Sequence, residues 1–304
     1  MSCNAGSRRH EPRRLDDHDA DQHHVIAPTG TVAAPVTDRS AQFTGSIPAA
    51  YDRYLGPMLF EPYAADLVAR LAVPPKAAVL ELACGTGILT QRLRRALPVT
   101  ATLTATDLNE PMVAYARGKM PNAPITWQQA DAQQLPFPDS SFEAVACQFG
   151  VMFVPDKPRA FAEARRVLKP NGLFAFNVWE SLDENSFGRI ARDTIARFFT
   201  SDPPTFYDVP FGFHDVAAIR AMLRTARLNL VFCEPVELEA KSPAAHDAAL
   251  GLVTGNPVVL DITERATAPA EEIVTAVAQA LTAEGGDAPL RLPMKALVFL
   301  AQAF

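Results

Sequence analysis

The sequence predicts an open α/β sheet with helices on both faces, and three observations predict it. An apolar run through Val79-Leu80-Glu81-Leu82 empties into the small-residue loop Ala83-Cys84-Gly85-Thr86-Gly87, which opens at once into a helix at Ile88-Leu89. A second β-rich run, residues 101–106, closes on a carboxylate, Asp107, and Glu110-Pro111-Met112 then starts a helix with proline in its first turn. Strand-like and helix-like segments go on alternating up to Trp179, as in a sheet built from parallel crossover units.

The loop after the first strand is suited to a ligand. Glycine has no Cβ to hold a ligand off the backbone, and the N–H groups of the following helix favour polar or anionic partners. A dinucleotide-binding fingerprint would need glycine at three places, yet Gly85, Gly87 and Thr90 fill them, so the third place fails. Carboxylates at the two ends, Glu81 and Asp107, suit a ligand that carries a cationic amine and ribose hydroxyls. Asp107 can also be read as a solvated strand end or a helix cap.

The segment Glu81-Leu82-Ala83-Cys84-Gly85-Thr86-Gly87 resembles the first motif of class I S-adenosylmethionine-dependent methyltransferases, with Ala83 standing where the first glycine often stands. Leu135-Pro136-Phe137-Pro138-Asp139-Ser140-Ser141-Phe142-Glu143-Ala144-Val145 closely resembles the signature of the subgroup that includes ubiquinone and menaquinone biosynthesis methyltransferases. Arg166-Val167-Leu168-Lys169-Pro170-Asn171-Gly172 resembles the family's turn before strand five. The likeness covers residues 50–180 and is architectural beyond them. It implies a Rossmann-like, seven-stranded, mostly parallel sheet of order 3-2-1-4-5-7-6 with a helical lid, and S-adenosyl-L-methionine as cofactor. It also implies a cofactor site made of Glu81, Ala83, Cys84, Gly85 and Gly87, with Asp107 on the ribose hydroxyls. Leu108 and Met112 would meet the adenine face, Asp131 and Ala132 the exocyclic amine, and Gln148 the other side.

Residues 1–42 form a separate zone in which arginines, aspartates and four of the six histidines mix with little apolar periodicity, so a disordered tail is expected there. His10, His18, His23 and His24 read as a solvated tail rather than a metal site. A net charge of −6 and the lack of a basic strip argue against a nucleic-acid partner. With no secretory or 18-residue membrane-spanning segment and no C-x-x-C spacing, the expectation is a cytoplasmic protein with reduced thiols and no metal.

Order is expected from Phe43, giving one domain over 43–304 with insertions at 185–227 and 240–293. Ser46-Ile47-Pro48 starts a helix that Pro57 should end, and Pro62 opens the next. Tyr51 and Tyr54 lie on the first of these. By the resemblance such a segment covers the methionine end of the cofactor, which makes Tyr54 a cofactor candidate; plain packing of the rings is the competing reading. Strand five is expected at 173–179, strand six at 228–238 and strand seven at 295–303, with a Ser242 cap opening a helix between the last two. Phe206, Tyr207, Phe211 and Phe213 crowd a proline-punctuated loop that either lids a small, partly apolar methyl acceptor or packs as core. His214 is the candidate base there, although His214-Asp215 also reads as a loop entering a capped helix. The function expected is methyl transfer to a small molecule. A catalytically silent cofactor- or partner-binding module and a nucleotide-dependent oxidoreductase are the alternatives.

Overall fold

Buried parallel strands need apolar residues on both faces, and the chain supplies them in the order the sheet requires. The structure is a computed structural model describing residues 39–304; the expectations for residues 1–38, including the four tail histidines, and for Cys3 lie outside the described residues. The strands are β1 (Ala78–Glu81), β2 (Thr102–Asp107), β3 (Thr126–Gln129), β4 (Phe142–Gln148), β5 (Leu168–Trp179), β6 (Leu228–Ser242) and β7 (Leu290–Ala303). They form one sheet of order β3-β2-β1-β4-β5-β7-β6, parallel through β5 and antiparallel where β7 meets β5 and β6. The expected order is borne out. Strand β5 begins earlier than expected, at Leu168, ahead of the left-handed turn residue Asn171 (φ 64°).

Before the sheet lies a helix that changes pitch. It begins as α1 (Ile47–Ala50), widens to a π-helix over Tyr51–Phe60 and returns as α2 (Glu61–Arg70). Pro57 does not end it: the π turns close five residues back, as Glu61 N–H does onto the Gly56 carbonyl, and the ring sits inside the widened stretch. Helix α2 packs on α3 (Ile88–Ala96), and α4 (Glu110–Lys119) packs on β2 and β3. Helix α5 (Lys157–Val167) lies on β5. The insertion after β5 holds α6 (Ser186–Ala196), α7 (Asp208–Phe211) and α8 (Val216–Thr225), with α8 packed on α5 and β6. Between β6 and β7 come α9 (Ala245–Thr254), α10 (Val258–Arg265) and α11 (Ala270–Gly285); α6, α9 and α11 pack together, and the π-helix packs on α9.

Three further expectations need correction. Ser242 is not a cap: it ends β6 and donates to the Ala244 carbonyl, while the start of α9 is held by Ala245 N–H on the Asp287 backbone and carboxylate oxygens. The β6–β7 pair is longer than expected: its antiparallel register runs from Leu228↔Ala303 to Ser242↔Leu290, with one shift between Leu230 and Phe232. Ordered structure also begins before Phe43. Arg39 forms ion pairs with Asp261 and Glu264 of α10, and the Ala41 carbonyl accepts from Asn109 Nδ2 (3.0 Å).

The signature at residues 135–145 serves the scaffold. Arg166, on the last turn of α5, donates to the carbonyls of Leu135 (2.9 Å) and Phe137 (2.7 Å) and to the carboxylates of Asp139 and Glu163, while Glu163 accepts from Leu135 N–H. Beside it, Glu143 accepts from Ala78 N–H and pairs with Lys169, which holds its carboxyl below the usual range despite partial burial. The two sequence signatures are thus one hydrogen-bonded clamp joining α5 to the start of β4. Replacing Arg166 with alanine leaves two carbonyls without this donor and Glu163 with only the Leu135 N–H. A loss of about 2–4 kcal/mol is expected, seen as a lower midpoint in thermal and urea unfolding.

Candidate functional site

The loop between β1 and α3 is built from left-handed residues. Ala83, Gly85 and Gly87 have φ of 51°, 53° and 82°. Cys84 N–H donates to the Thr106 carbonyl and Gly87 N–H to the Cys84 carbonyl, so the loop is stitched to β2 and to itself. Each small residue is needed for its own reason. A Cβ on Gly87 would come within 2.7 Å of Met120 and 3.0 Å of Ala116, so glycine lets α3 approach α4. A Cβ on Gly85 would meet nothing within 4 Å, so that position opens outward. Ala83 occupies a conformation that costs an L-residue about 1–2 kcal/mol, and its methyl in turn requires Gly150, whose own Cβ would lie 2.4 Å away.

Four adjacent parallel strands bring polar side chains to their carboxyl ends: Asp107 on β2, Glu81 on β1, Gln148 on β4 and Asn177 on β5. Asp107 is buried, and its carboxylate accepts from Gly85 N–H (2.9 Å) and Asn109 N–H (2.8 Å). Burial raises its pKa and those hydrogen bonds only partly offset the rise. Glu81 is also buried, and its pKa is pushed up to about 8, first by burial and then by the Asp107 charge. Thr86 Oγ1, Glu81 Oε2 and Gln148 Oε1 are buried side-chain oxygens with no hydrogen-bond partner among the described residues, while Gln148 Nε2 donates to the Phe60 carbonyl (2.8 Å).

The remaining predicted residues surround this row. Cys84 is buried in the loop, and Met112 is buried in the first turn of α4. Leu108 and Ala132 are half-buried, the Leu108 carbonyl accepting from Gln129. Asp131 accepts from the N–H and side chain of Gln133. Lys119 ties the loop to the π-helix, donating to the Thr86 carbonyl (3.1 Å) and pairing with Asp52.

Next to the row lies an apolar cavity walled by the π-helix, the ends of β4 and β5 and the two insertions. Aromatic rings dominate it: Tyr51, Phe60, Phe149, Trp179, Phe206 and Phe211. Tyr51 stacks on Phe60 at 4.7 Å, and Phe149 on Trp179 at 4.1 Å. The Tyr51 phenol is held above its usual range by burial and by the charges of Asp107 and Asp52, so this cavity-lining ring lies within electrostatic reach of the carboxylate row. Tyr54, the tyrosine expected to meet the cofactor, has its Cβ against Gly251 of α9 and its ring under Arg53. Phe206, Tyr207 and Phe211 line the cavity as the lid reading expects, but Phe213 does not; its ring lies under the Lys157 ammonium. His214 also stands outside the lining, its Nδ1 hydrogen-bonded to the Phe211 carbonyl (2.7 Å), and Asp215 caps α8. No group of three or more metal-ligating side chains occurs among the described residues, and no described helix is long and apolar enough to cross a membrane.

Residues 80–176 match the family model for a methyltransferase domain. Over those residues the chain is similar to a class I methyltransferase domain, and its sheet has the methyltransferase fold. The methyl donor of that domain is S-adenosyl-L-methionine. Relatives include the ubiquinone/menaquinone biosynthesis C-methyltransferase UbiE of Saccharophagus degradans, 41% identical over 98 residues, covering 31% of this chain and 39% of the relative. UbiE of Ralstonia pickettii is 37% identical over 123 residues, covering 38% and 51%. The chain thus spans about half or less of the length of these relatives. Among solved structures, a candidate methyltransferase from Bacillus halodurans gives a TM-score of 0.54 at 18% identity, covering 79% of this chain and 97% of the other. The [4+2]-cyclase SpnF gives 0.53 at 18%, covering 80% and 81%. The methyltransferase fold is what those two likenesses share with this chain.

Two outcomes follow from the loop. Ala83→Gly relieves the left-handed strain and is expected to stabilise the domain by about 0.5–1 kcal/mol in urea unfolding. Glu81, with its raised pKa, keeps its proton in the folded chain while the unfolded chain loses it, so stability falls as pH rises from near 4.5 to about 8. Glu81→Gln removes that slope, and its melting midpoint should stay flatter between about pH 5 and 8, with a gain of about 2–4 kcal/mol at the upper end.

Proposed function

We propose that the protein transfers the methyl group of S-adenosylmethionine to a small, uncharged acceptor held in the aromatic cavity. The observation that carries this reading is the juxtaposition of the carboxylate row and open glycine loop with a cavity lined, among the described residues, by no charged side chain. The site suits the cofactor chemically. Asp107, already oriented by Gly85 and Asn109, would accept the ribose hydroxyls, and Asp131 and Ala132 would meet the adenine amine. The unpartnered buried oxygens of Thr86, Glu81 and Gln148 leave hydrogen-bonding capacity at the strand ends, and the Gln148 oxygen is an acceptor that suits an amine. Bound there, the cofactor supplies a methyl group already activated by its sulfonium.

The chain's own contribution is then alignment and exclusion of water. Holding two reactants in line replaces an entropic cost worth up to about 7–11 kcal/mol, and apolar walls remove competing solvent. Among the described residues, the lining side chains include no histidine, carboxylate or lysine. The acceptor must therefore bring a nucleophile that reacts without a protein base, and His214 has no place in this scheme. Tyr207 cannot serve as base either: its hydroxyl donates to the Leu252 carbonyl (2.6 Å), and burial raises its pKa above the usual range.

The test is direct. Titration calorimetry should show S-adenosylmethionine and S-adenosylhomocysteine binding in preference to NAD, and Asp107→Ala should weaken both by tenfold or more, from loss of charge-assisted hydrogen bonds of about 1.5–3 kcal/mol each. Binding of NAD alone would sink the reading. Incubating a neutral metabolite extract with methyl-labelled cofactor then identifies the acceptor by mass.

A further inference from the structure

We propose that Asn177 is a positioning residue for the acceptor cavity, its side-chain oxygen holding Phe149 in the left-handed conformation that makes the ring one wall of that cavity. The inference rests on reading the cavity as the acceptor site. Asn177 is fully buried on β5, directly opposite Gln148 in the β4–β5 register. Its Oδ1 accepts from Phe149 N–H at 3.0 Å, and its own carbonyl accepts from the same N–H at 3.2 Å. The identity of the amide oxygen is fixed by the partner, since an N–H can only donate.

Phe149 is where the strain falls. A large aromatic residue at φ 52° is held against its own preference. The ring is thereby laid flat on Trp179, 4.1 Å away with 13° between the planes, and edge-on to Tyr63 and Phe60. The residue that follows, Gly150, is locked against Ala83 of the cofactor loop. The step from Phe149 to Gly150 is therefore the joint between the two halves of the site, and Asn177 grips it from the sheet. Nδ2 of Asn177 is buried with no hydrogen-bond partner among the described residues. A fold selecting only for stability has no use for that amide; an apolar residue there would fill the space without an orphaned donor.

Asn177→Leu keeps the volume and removes the oxygen, whereas Asn177→Asp keeps the oxygen. Both are made in a Trp127→Phe background, which leaves Trp179 as the remaining one of the chain's two tryptophans. The probes are S-adenosylhomocysteine, by calorimetry, and 2-naphthol, a neutral two-ring compound, by quenching of Trp179 fluorescence. Asn177→Leu is expected to weaken 2-naphthol by tenfold or more and to alter the near-ultraviolet dichroism of the Phe149–Trp179 pair, with S-adenosylhomocysteine affinity within about threefold of the parent. Asn177→Asp should restore both readouts.

Unchanged 2-naphthol affinity in a folded Asn177→Leu protein would overturn the proposal. So would an equal loss of both ligands without rescue by Asn177→Asp, because that marks a purely structural role. If Asn177→Leu does not fold, the aspartate variant decides: a folded Asn177→Asp with tenfold weaker 2-naphthol binding also overturns it. A parent protein that binds 2-naphthol but not S-adenosylhomocysteine would count against the cofactor reading and leave the positioning argument standing.

Discussion

The close approach of backbones around residues 83–87 is the constraint from which the rest of the site follows. Three left-handed residues fold the chain back between β1 and α3, Gly87 brings α3 against α4, and Ala83 meets Gly150 at the end of β4. None of these contacts tolerates a longer side chain. Because they are steric and short-ranged, they fix the loop relative to both neighbouring strand ends at once, which hydrogen bonds alone would do less rigidly. Asp107 inherits its orientation from this loop through Gly85 N–H, and Phe149 inherits its place from the strand end that the loop abuts.

The strongest sequence likeness lies elsewhere, in the 135–145 and 166–172 strings, and their side chains do no chemistry. They hold α5 to the edge of β4 by a guanidinium that reaches two carbonyls and two carboxylates. A motif can be distinctive because its geometry is demanding. Arg166 has to satisfy a proline-rich connection that has no strand partner of its own, and lysine lacks the fork to do so.

The sheet order and the glycine loop were legible because apolar runs, small residues and strand-end carboxylates leave marks in the sequence at fixed spacing. The tyrosine that faces the cavity was not, and the reason is pitch. In an α-helix Tyr51 and Tyr54 lie near one face, but the π stretch from Tyr51 to Phe60 has a wider turn and separates them, so Tyr54 goes to α9 and Tyr51 to the cavity. Asn177 left no mark either, since one polar residue in the run Phe174–Trp179 looks like a tolerated exception until its partner is known. The lid aromatics were legible as a cluster but not singly: Phe213 belongs to the cluster in sequence and packs under Lys157 in space. Arg39 was assigned to a featureless tail because its partners on α10 are more than two hundred residues away.

Among the described residues, strand β6 pairs with β7 alone and leaves its other side as the border of the sheet for fifteen residues. A border that long invites another strand to join it. Glu234, Glu237, Glu239 and Lys241 stand exposed along it, Pro235 lacks an N–H to offer, and the shift between Leu230 and Phe232 throws Val231 outward. Each of these features makes a continuous ladder harder to extend, through charge repulsion, a missing donor or a broken repeat. The same residues that look dispensable to catalysis thus keep one copy of the sheet from templating the next, which matters most at high concentration and in partly folded chains.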